Sequence, residues 1–253
     1  MRRTLTLLVA GIVTLTLALP ANANAATNTT IKDSNSNLFA GYVQKAGPSG
    51  YPRYYEILDN ITVPTASDFT RAGISRDLAN IGTETAGVSG GVEVDTSDNT
   101  AFYTAIGIWG QHIVSFAQVK PGDVLQVTVR ETGSTNGTPD WLVEIFDDQT
   151  GQEFDATNPD AAANTTAGAF EARFQESNGT YIPLTRTSAV TFAAGRVFWA
   201  EKGQPKVKVS PLMAGVPKGA TLYKLTMQTL KGKTIAAPSK PSDGGSNFSV
   251  KAG

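Results

Sequence analysis

Cysteine is absent from this sequence of 253 residues. Disulfides, cysteine nucleophiles and thiolate metal sites are therefore excluded, and a hydrophobic core must hold the fold, which this length permits. Histidine occurs once, as His112. A Ser89–His112 nucleophile pair would need an acidic partner and an oxyanion hole, and no motif such as Gly-x-Ser-x-Gly places them. A serine mechanism stays open only because a triad is defined by geometry.

Neither sign of charge is in large excess. Without the two arginines at the start of the chain, 19 basic residues face 22 acidic ones, which gives a net charge near −3. We therefore expect neither a nucleic acid nor an anionic membrane as a partner. No segment after residue 25 is apolar for long enough to cross a bilayer. We also expect no cofactor and no metal site, although the Asp-rich turns at residues 95–99 and 147–148 carry oxygen ligands of the kind that calcium prefers.

The chain opens with the pattern of an export signal. Two arginines follow the initiator methionine, residues 5–19 form an apolar run too short for a spanning helix, and alternating alanines offer small-residue cleavage sites. We predict a signal peptide at residues 1–25, with cleavage after Ala23 or Ala25. The mature protein is then expected to be secreted and extracellular.

The rest of the chain alternates short runs rich in Val, Ile, Thr and aromatic residues with clusters of Gly, Pro, Asn and Asp. This pattern is typical of an antiparallel sandwich or barrel, and no long stretch repeats apolar residues at helical spacing. We therefore predict an all-β fold. The predicted strands are residues 54–63, 88–95, 101–108, 112–117, 124–131, 141–147, 169–175, 189–192, 222–229 and 248–251.

The predicted organisation is a single domain. A flexible segment at residues 26–37 is expected to precede one β-sandwich domain at residues 38–253, and we expect a monomer. Residues 155–168 and 231–245 are rich in small, polar and turn-forming residues, and are predicted to be loops.

One strand-like segment carries most of the site prediction. In residues 169–175, alternation puts Glu171, Arg173 and Gln175 on one face and the apolar side chains on the other. We expect the apolar face to pack into a core and the polar face to line a cleft.

Several motifs occur in a fixed order along the chain. They are Ser36-Asn37-Leu38-Phe39-Ala40-Gly41-Tyr42-Val43, Asn60-Ile61-Thr62-Val63-Pro64, Val119-Lys120-Pro121-Gly122-Asp123, Trp141 through Thr150-Gly151, Tyr181-Ile182-Pro183-Leu184 through Phe192, Ala236-Ala237-Pro238-Ser239 and Asp243-Gly244-Gly245-Ser246-Asn247-Phe248-Ser249-Val250. In this order they resemble the motifs of the glutamic peptidases, or eqolisins, with Leu38-Phe39 replacing the tryptophan of the family's opening motif. The resemblance covers most of the chain after the signal. It implies a concanavalin-A-like sandwich of two curved antiparallel sheets, with a peptide-binding cleft on the concave one.

The resemblance also implies a catalytic glutamine and a catalytic glutamate, and neither is matched. The family's Gln-x-Gly strand corresponds to Val88-Ser89-Gly90-Gly91, which puts Ser89 at the glutamine. Aligning the family's Ala-Glu-Trp-Ile-Val-Glu strand by its aromatic residue on Phe170 puts Arg173 at the catalytic glutamate. Arginine stays protonated and has no acceptor, so it cannot exchange a proton with water. A slip of one or two residues would bring Glu171 into the catalytic position.

Further residues complete the predicted cleft. Glu84 matches an acidic residue of the family's Gly-x-Asp segment, and Glu93 follows Ser89 on the same strand. Tyr103 and Trp141 are aromatic residues that could form the floor of a groove. Together with Ser89, Arg173 and Gln175, these residues form the predicted binding set.

We therefore predict a secreted protein similar to glutamic peptidases that is non-catalytic or altered in activity, and that binds peptide or another polymer in the cleft. The alternative is a working acid endopeptidase with Glu171 as its general acid and base. A third hypothesis pairs Glu93 with Glu171 for glycoside hydrolysis, which lectin-like sandwiches can support.

Overall fold

The computed structural model describes residues 30–83, 87–158, 168–175 and 183–252. Within these ranges the chain forms sixteen β-strands and one short 3₁₀ turn, Asp243–Gly245, and contains no helix long and apolar enough to cross a membrane. The strands are β1 (Ile31–Ser36), β2 (Phe39–Lys45), β3 (Arg53–Thr62), β4 (Gly73–Gly82), β5 (Gly87–Ser97), β6 (Thr100–Trp109), β7 (His112–Gln118), β8 (Val124–Thr135), β9 (Thr138–Asp147), β10 (Gln152–Asn158), β11 (Gly168–Gln175), β12 (Val190–Ala200), β13 (Lys208–Pro211), β14 (Thr221–Gln228), β15 (Thr234–Pro238) and β16 (Phe248–Ala252).

The strands build two sheets that face each other. Hydrogen-bonded neighbours follow the order β10-β9-β8-β3-β12-β16-β15-β14-β2-β11-β4-β5-β6-β7, with β1 joined in parallel to β14 and β13 joined to β12. This path folds back on itself, because β5 contacts β8 and β9, and β11 contacts β3. We call β14, β2, β11, β4, β5, β6 and β7 sheet A, and β10, β9, β8, β3 and β12 sheet B. Strands β15 and β16 connect the two, and the predicted all-β antiparallel sandwich is confirmed.

The hydrophobic core lies between the sheets. Ile57 of β3 and Ala79 of β4 are both fully buried in it. Gly90 of β5 approaches sheet B so closely that a β-carbon there would meet the side chains of Val127 and Val143. The side of sheet A that carries Ala79 and Gly90 is therefore its interior face, and the alternate residues of each strand form its outer face.

Ten of the sixteen strands in the described residues were predicted, and six were missed. All ten predicted strands are present, although β12 continues to Ala200 through a bulge, well beyond its predicted end. Strand β1 lies in the segment predicted to be flexible, because a polar sequence can still pair through its backbone with β14. Strand β10 ends within the first predicted loop, and β15 lies within the second. The other missed strands are β2, β4 and β13.

Candidate functional site

Strand β11 orients the polar side chains that the sequence singles out. Glu171 lies opposite Tyr42 of β2 and Ala79 of β4, and it is fully buried. A β-carbon at Gly195 of sheet B would overlap the Glu171 carboxyl oxygens. Glu171, and with it Arg173 two residues later, therefore faces the interior of the sandwich.

The apolar side chains of β11 lie on the outer face of sheet A. Phe170 and Ala172 join Phe39 and Val43 of β2 in a small buried cluster that is separate from the main core. The Phe39 and Phe170 rings stack with their centroids 5.9 Å apart. The expectation that the polar side of β11 lines a cleft is therefore wrong. Both sides of this strand are buried, so alternation distinguishes its two faces without showing which one is internal.

Arg173 forms a complete ion pair inside the protein. Its Nε and Nη2 donate to the two carboxylate oxygens of Asp77 on β4, at 2.7 and 2.8 Å, and its Nη1 donates to Thr187 Oγ1 at 2.6 Å. Both charged side chains have no solvent exposure. This bidentate geometry is the strong form of an arginine–carboxylate interaction. Arg173 was predicted to line the cleft. It instead joins β11 to β4 inside the protein.

A second carboxyl group faces Glu171 from the opposite sheet. Asp59 of β3 is 2% exposed and Glu171 is not exposed at all. None of the four carboxyl oxygens has a hydrogen-bond partner of ordinary geometry among the residues that the structure describes. Burial raises the pKa of Asp59 well above its usual range, and the nearby backbone N–H groups of Asn60 and Ala193 offset this only in part. Burial and the charge of Asp59 raise the pKa of Glu171 in the same direction.

Ser89 points to the side of sheet A opposite to Arg173. Ser89 of β5 lies opposite Asn80 of β4, and Asn80 lies opposite Phe170 of β11. All three side chains are therefore on the outer face. Asn80 Nδ2 donates a hydrogen bond to Ser89 Oγ, while Asn80 Oδ1 has no partner within the described ranges. The two residues that the motif alignment puts at the catalytic glutamine and glutamate are therefore on opposite faces. They do not form a joint site.

The remaining predicted cleft residues fall into different environments. Glu93 lies on the outer face and accepts a hydrogen bond from Arg76 Nε at 2.7 Å. Trp141 is fully buried in the core, and Tyr103 packs against that core while its hydroxyl accepts a hydrogen bond from the Ala66 N–H. The prediction that these two aromatic residues line a groove is wrong, because their strand positions face the opposite sheet.

Three further predicted residues are Glu84, Gln175 and His112. Glu84 lies outside the described residues, as does the side chain of Gln175 at the end of β11. His112 is exposed and pairs with Trp109, which puts it on the opposite side of sheet A from Ser89. The geometry therefore gives no support to a Ser89–His112 pair.

Known proteins resemble this chain in sequence and in fold. The sequence matches the profile of the peptidase A4 family over residues 37–237. The chain belongs to the peptidase A4 family. No curated protein matches the sequence at a significant level.

Solved structures of glutamic peptidases share the peptidase A4 architecture. Scytalido-glutamic peptidase with a transition state analog inhibitor is 16% identical, with a TM-score of 0.65 over 87% of this chain and 100% of that one. SCP-B, an eqolisin in complex with the tripeptide Ala-Ile-His, is 16% identical, with a TM-score of 0.56 over 85% and 100%. Aspergilloglutamic peptidase from Aspergillus niger is 17% identical, with a TM-score of 0.55 over 72% and 99%. At these identities the likeness shows a common fold.

Within this peptidase A4 fold, the partners of the predicted site residues were missed. They are Asn80, Asp77 and Asp59. A signal for Asp59 was present, since it is the one acid between Ile57 and Ile61 on the apolar side of β3. An isolated acid at a core position of a strand indicates a buried carboxyl group, which must be paired or protonated.

Proposed function

We propose that this peptidase A4 family member is exported and binds peptide segments on the outer face of sheet A, without hydrolysing them by the family's glutamate mechanism. The observation that supports this best is the orientation of β11. Its two ionisable side chains, Glu171 and Arg173, are buried in the interior, and Phe170 and Ala172 occupy the outer face.

The chemistry of peptide hydrolysis makes this orientation decisive. A glutamic peptidase needs a carboxyl group within hydrogen-bond reach of the attacking water and of the leaving nitrogen. An amide group beside it holds the water and stabilises the oxyanion. Here the carboxyl group of Glu171 has no exposure, and the glutamine position carries Ser89, whose hydroxyl is engaged by Asn80.

The outer face nevertheless offers groups that suit an extended peptide. Asn80 Oδ1 is an acceptor without a partner in the described ranges, but Asn80 is only 3% exposed, so a peptide N–H reaches this oxygen only after the covering residues move. Farther along β4 and β5, the Arg76–Glu93 ion pair is partly exposed and presents both signs of charge. The complex of SCP-B with a tripeptide makes peptide the ligand class favoured for a chain of this fold.

The proposal extends to location and assembly. The signal-like residues 1–25 support secretion, and the near-neutral charge supports a protein with no nucleic-acid or membrane partner after processing. We expect a monomer. N-terminal sequencing of exported protein should begin at Asn24 or Ala26, and a mature chain that retains Met1 would rule out the signal peptide.

Acid proteolysis tests the loss of hydrolysis. We expect purified protein to leave an unfolded protein substrate intact between about pH 2 and pH 5, where a carboxyl near its reference pKa could exchange protons with substrate. Pepstatin-insensitive cleavage by the wild type that disappears in Glu171→Gln would overturn the proposal. It would instead support the alternative of an active endopeptidase, for which the raised pKa of Glu171 is the one favourable observation.

A binding measurement tests the peptide surface independently of catalysis. Titration with a library of short unlabelled peptides, followed by NMR, should shift resonances of β4 and β5, and Asn80→Ala should weaken binding about threefold to tenfold through loss of one hydrogen bond. Glu153→Gln, an exposed change on β10 of sheet B, is the matched control and should bind as the wild type does. Shifts confined to other strands, or none at all, would contradict the proposed surface.

A further inference from the structure

The Asp59–Glu171 carboxyl pair lies where the two sheets meet. Asp59 belongs to sheet B and Glu171 to sheet A, and β11 contacts β3 directly. Gly195 of β12 leaves room for the Glu171 carboxyl group, because any β-carbon there would overlap it. The pair is therefore built into the closed form of the sandwich.

The bulge of β12 lies next to this pair. The register between β3 and β12 shifts between Ala193 and Arg196, so Asp59 faces an irregular stretch of β12. Ala194 in the bulge has a φ of 59°, which is uncommon for a residue with a side chain. The bulge is held by the Ala194 and Gly195 N–H groups, which donate to Asn247 Oδ1 and to the Ser246 carbonyl. It thus provides the close backbone approach that Glu171 requires.

No cation faces the pair from the described elements packed against it. Arg173, two residues along β11, is bound to Asp77 and Thr187 through three of its nitrogens. Arg196 of β12 is exposed.

The buried tyrosines of β2 and β3 also remain neutral. Tyr42, opposite Glu171 on β2, has its pKa raised to about 12 by burial and by the charge of Asp33, and its hydroxyl donates to the Ser239 carbonyl. Burial raises the pKa of Tyr54 on β3 as well. The pair is also flanked by the methyl and backbone atoms of Ala79 and Gly195, by the apolar side chains of Ile57 and Ile61, and by the uncharged backbone N–H groups of Asn60 and Ala193. Among the described residues nothing carries a positive charge that balances the pair, so protons must do so.

We propose that Asp59 and Glu171 form a proton-binding site between the sheets, that the folded chain retains at least one proton there, and that loss of this proton loosens the sandwich as the pH rises toward neutrality. This site lies away from the outer face on which peptide binding is proposed, and it does not depend on that function. It makes the fold itself sensitive to acidity.

The direction of the effect follows from linkage. In the unfolded chain both carboxyl groups titrate near their ordinary pKa of about 4. In the folded chain burial raises the pKa of both. The stabilising contribution is therefore fully present below pH 4 and declines as the pH rises through the raised values, because the folded state binds more protons than the unfolded state.

Denaturant unfolding of the mature protein at constant ionic strength, from about pH 3 to pH 8, tests the proposal. We expect the unfolding equilibrium constant to rise about tenfold per pH unit above pH 5 for each proton that only the folded state retains. Glu171→Gln and Asp59→Asn keep the shapes but remove a titrating group. Each should flatten this pH dependence, and the double variant should show almost none.

Controls keep the outcome decisive. Glu153→Gln removes an exposed carboxyl group of sheet B and should keep the wild-type pH profile. If the buried variants fail to fold, wild-type refolding in weakly buffered solution near pH 6 should still take up roughly one to two protons per molecule. Zero proton uptake, wild-type stability that is flat or rises between pH 5 and pH 7, or buried variants with the wild-type slope would each overturn the proposal.

Discussion

Two polar pairs lie in the interior of the sandwich, and only one of them is electrically balanced. Arg173 and Asp77 combine opposite charges with three hydrogen bonds from the guanidinium group. Glu171, two residues earlier on β11, meets Asp59, a second acid, and among the described residues only the backbone N–H groups of Asn60 and Ala193 act on Asp59 as donors. Because both pairs are almost completely buried, the difference between them is one of charge and not of depth.

This difference shows how a β-sandwich can hold four ionisable groups in its interior. An ion pair with good geometry keeps both charges because each compensates the desolvation of the other. Two carboxyl groups cannot both ionise at close range in a low-dielectric interior, so one or both stay protonated. Acidity should therefore affect the Asp59–Glu171 pair strongly.

The largest effect is expected from breaking the balanced pair. Arg173→Met removes the guanidinium group and leaves Asp77 buried without a counter-charge, which typically costs about 3–5 kcal/mol of unfolding free energy. Denaturant unfolding at mild acid pH measures this loss. The double variant Arg173→Met with Asp77→Leu should recover most of the stability, since an apolar replacement of a whole buried pair is often neutral. A single variant that loses less than about 1 kcal/mol would show that the pair is hydrated and the interior assignment wrong.

An intermediate effect is expected where backbone and carboxyl group meet. Gly195→Ala should cost about 1–3 kcal/mol, because its methyl group would overlap the Glu171 carboxyl oxygens and force either element to shift. Combining it with Glu171→Ala should cost at least about 1 kcal/mol less than the sum of the single changes, since the two residues are in contact. Gly133→Ala, whose new methyl group would lie at an ordinary distance from Asp140, is the matched control and should be nearly neutral. Strict additivity at Gly195 and Glu171 would mean that they do not touch.

The sequence predicted the fold better than it predicted the site, and β11 shows why. The alternation of Glu171 and Arg173 with apolar neighbours correctly separated the two faces of the strand. It could not say which face is internal, because that depends on Asp77 and Asp59. These partners are 96 and 112 positions away from Arg173 and Glu171 along the chain, and no local pattern reports a contact of that range.

The strands could be predicted because the sequence signals for a strand are local. Period-2 alternation and turn residues are local features, so β8, which follows the Pro121-Gly122 turn, begins at the predicted residue. Strand β1 carries the polar sequence Ile-Lys-Asp-Ser-Asn-Ser and exists through backbone pairing with β14. A strand of this kind leaves little trace in side-chain patterning, and the same limit applies to short β13.

The smallest effect is expected at the Arg76–Glu93 pair on the outer face, which provides the exposed counterpart of Arg173–Asp77. Its side chains are 15% and 22% exposed, so water screens the interaction. Glu93→Gln should therefore cost only about 0.2–1 kcal/mol at low salt. Most of that cost should vanish in 1 M salt, where the Debye length is about 3 Å. Parallel denaturant series at low and high salt for Glu93→Gln and Arg173→Met make the comparison direct, because the buried pair should keep its full cost in both. A loss at Glu93 that is as large as that at Arg173 and independent of salt would show that the outer face is as dry as the interior, and a peptide could then not reach it.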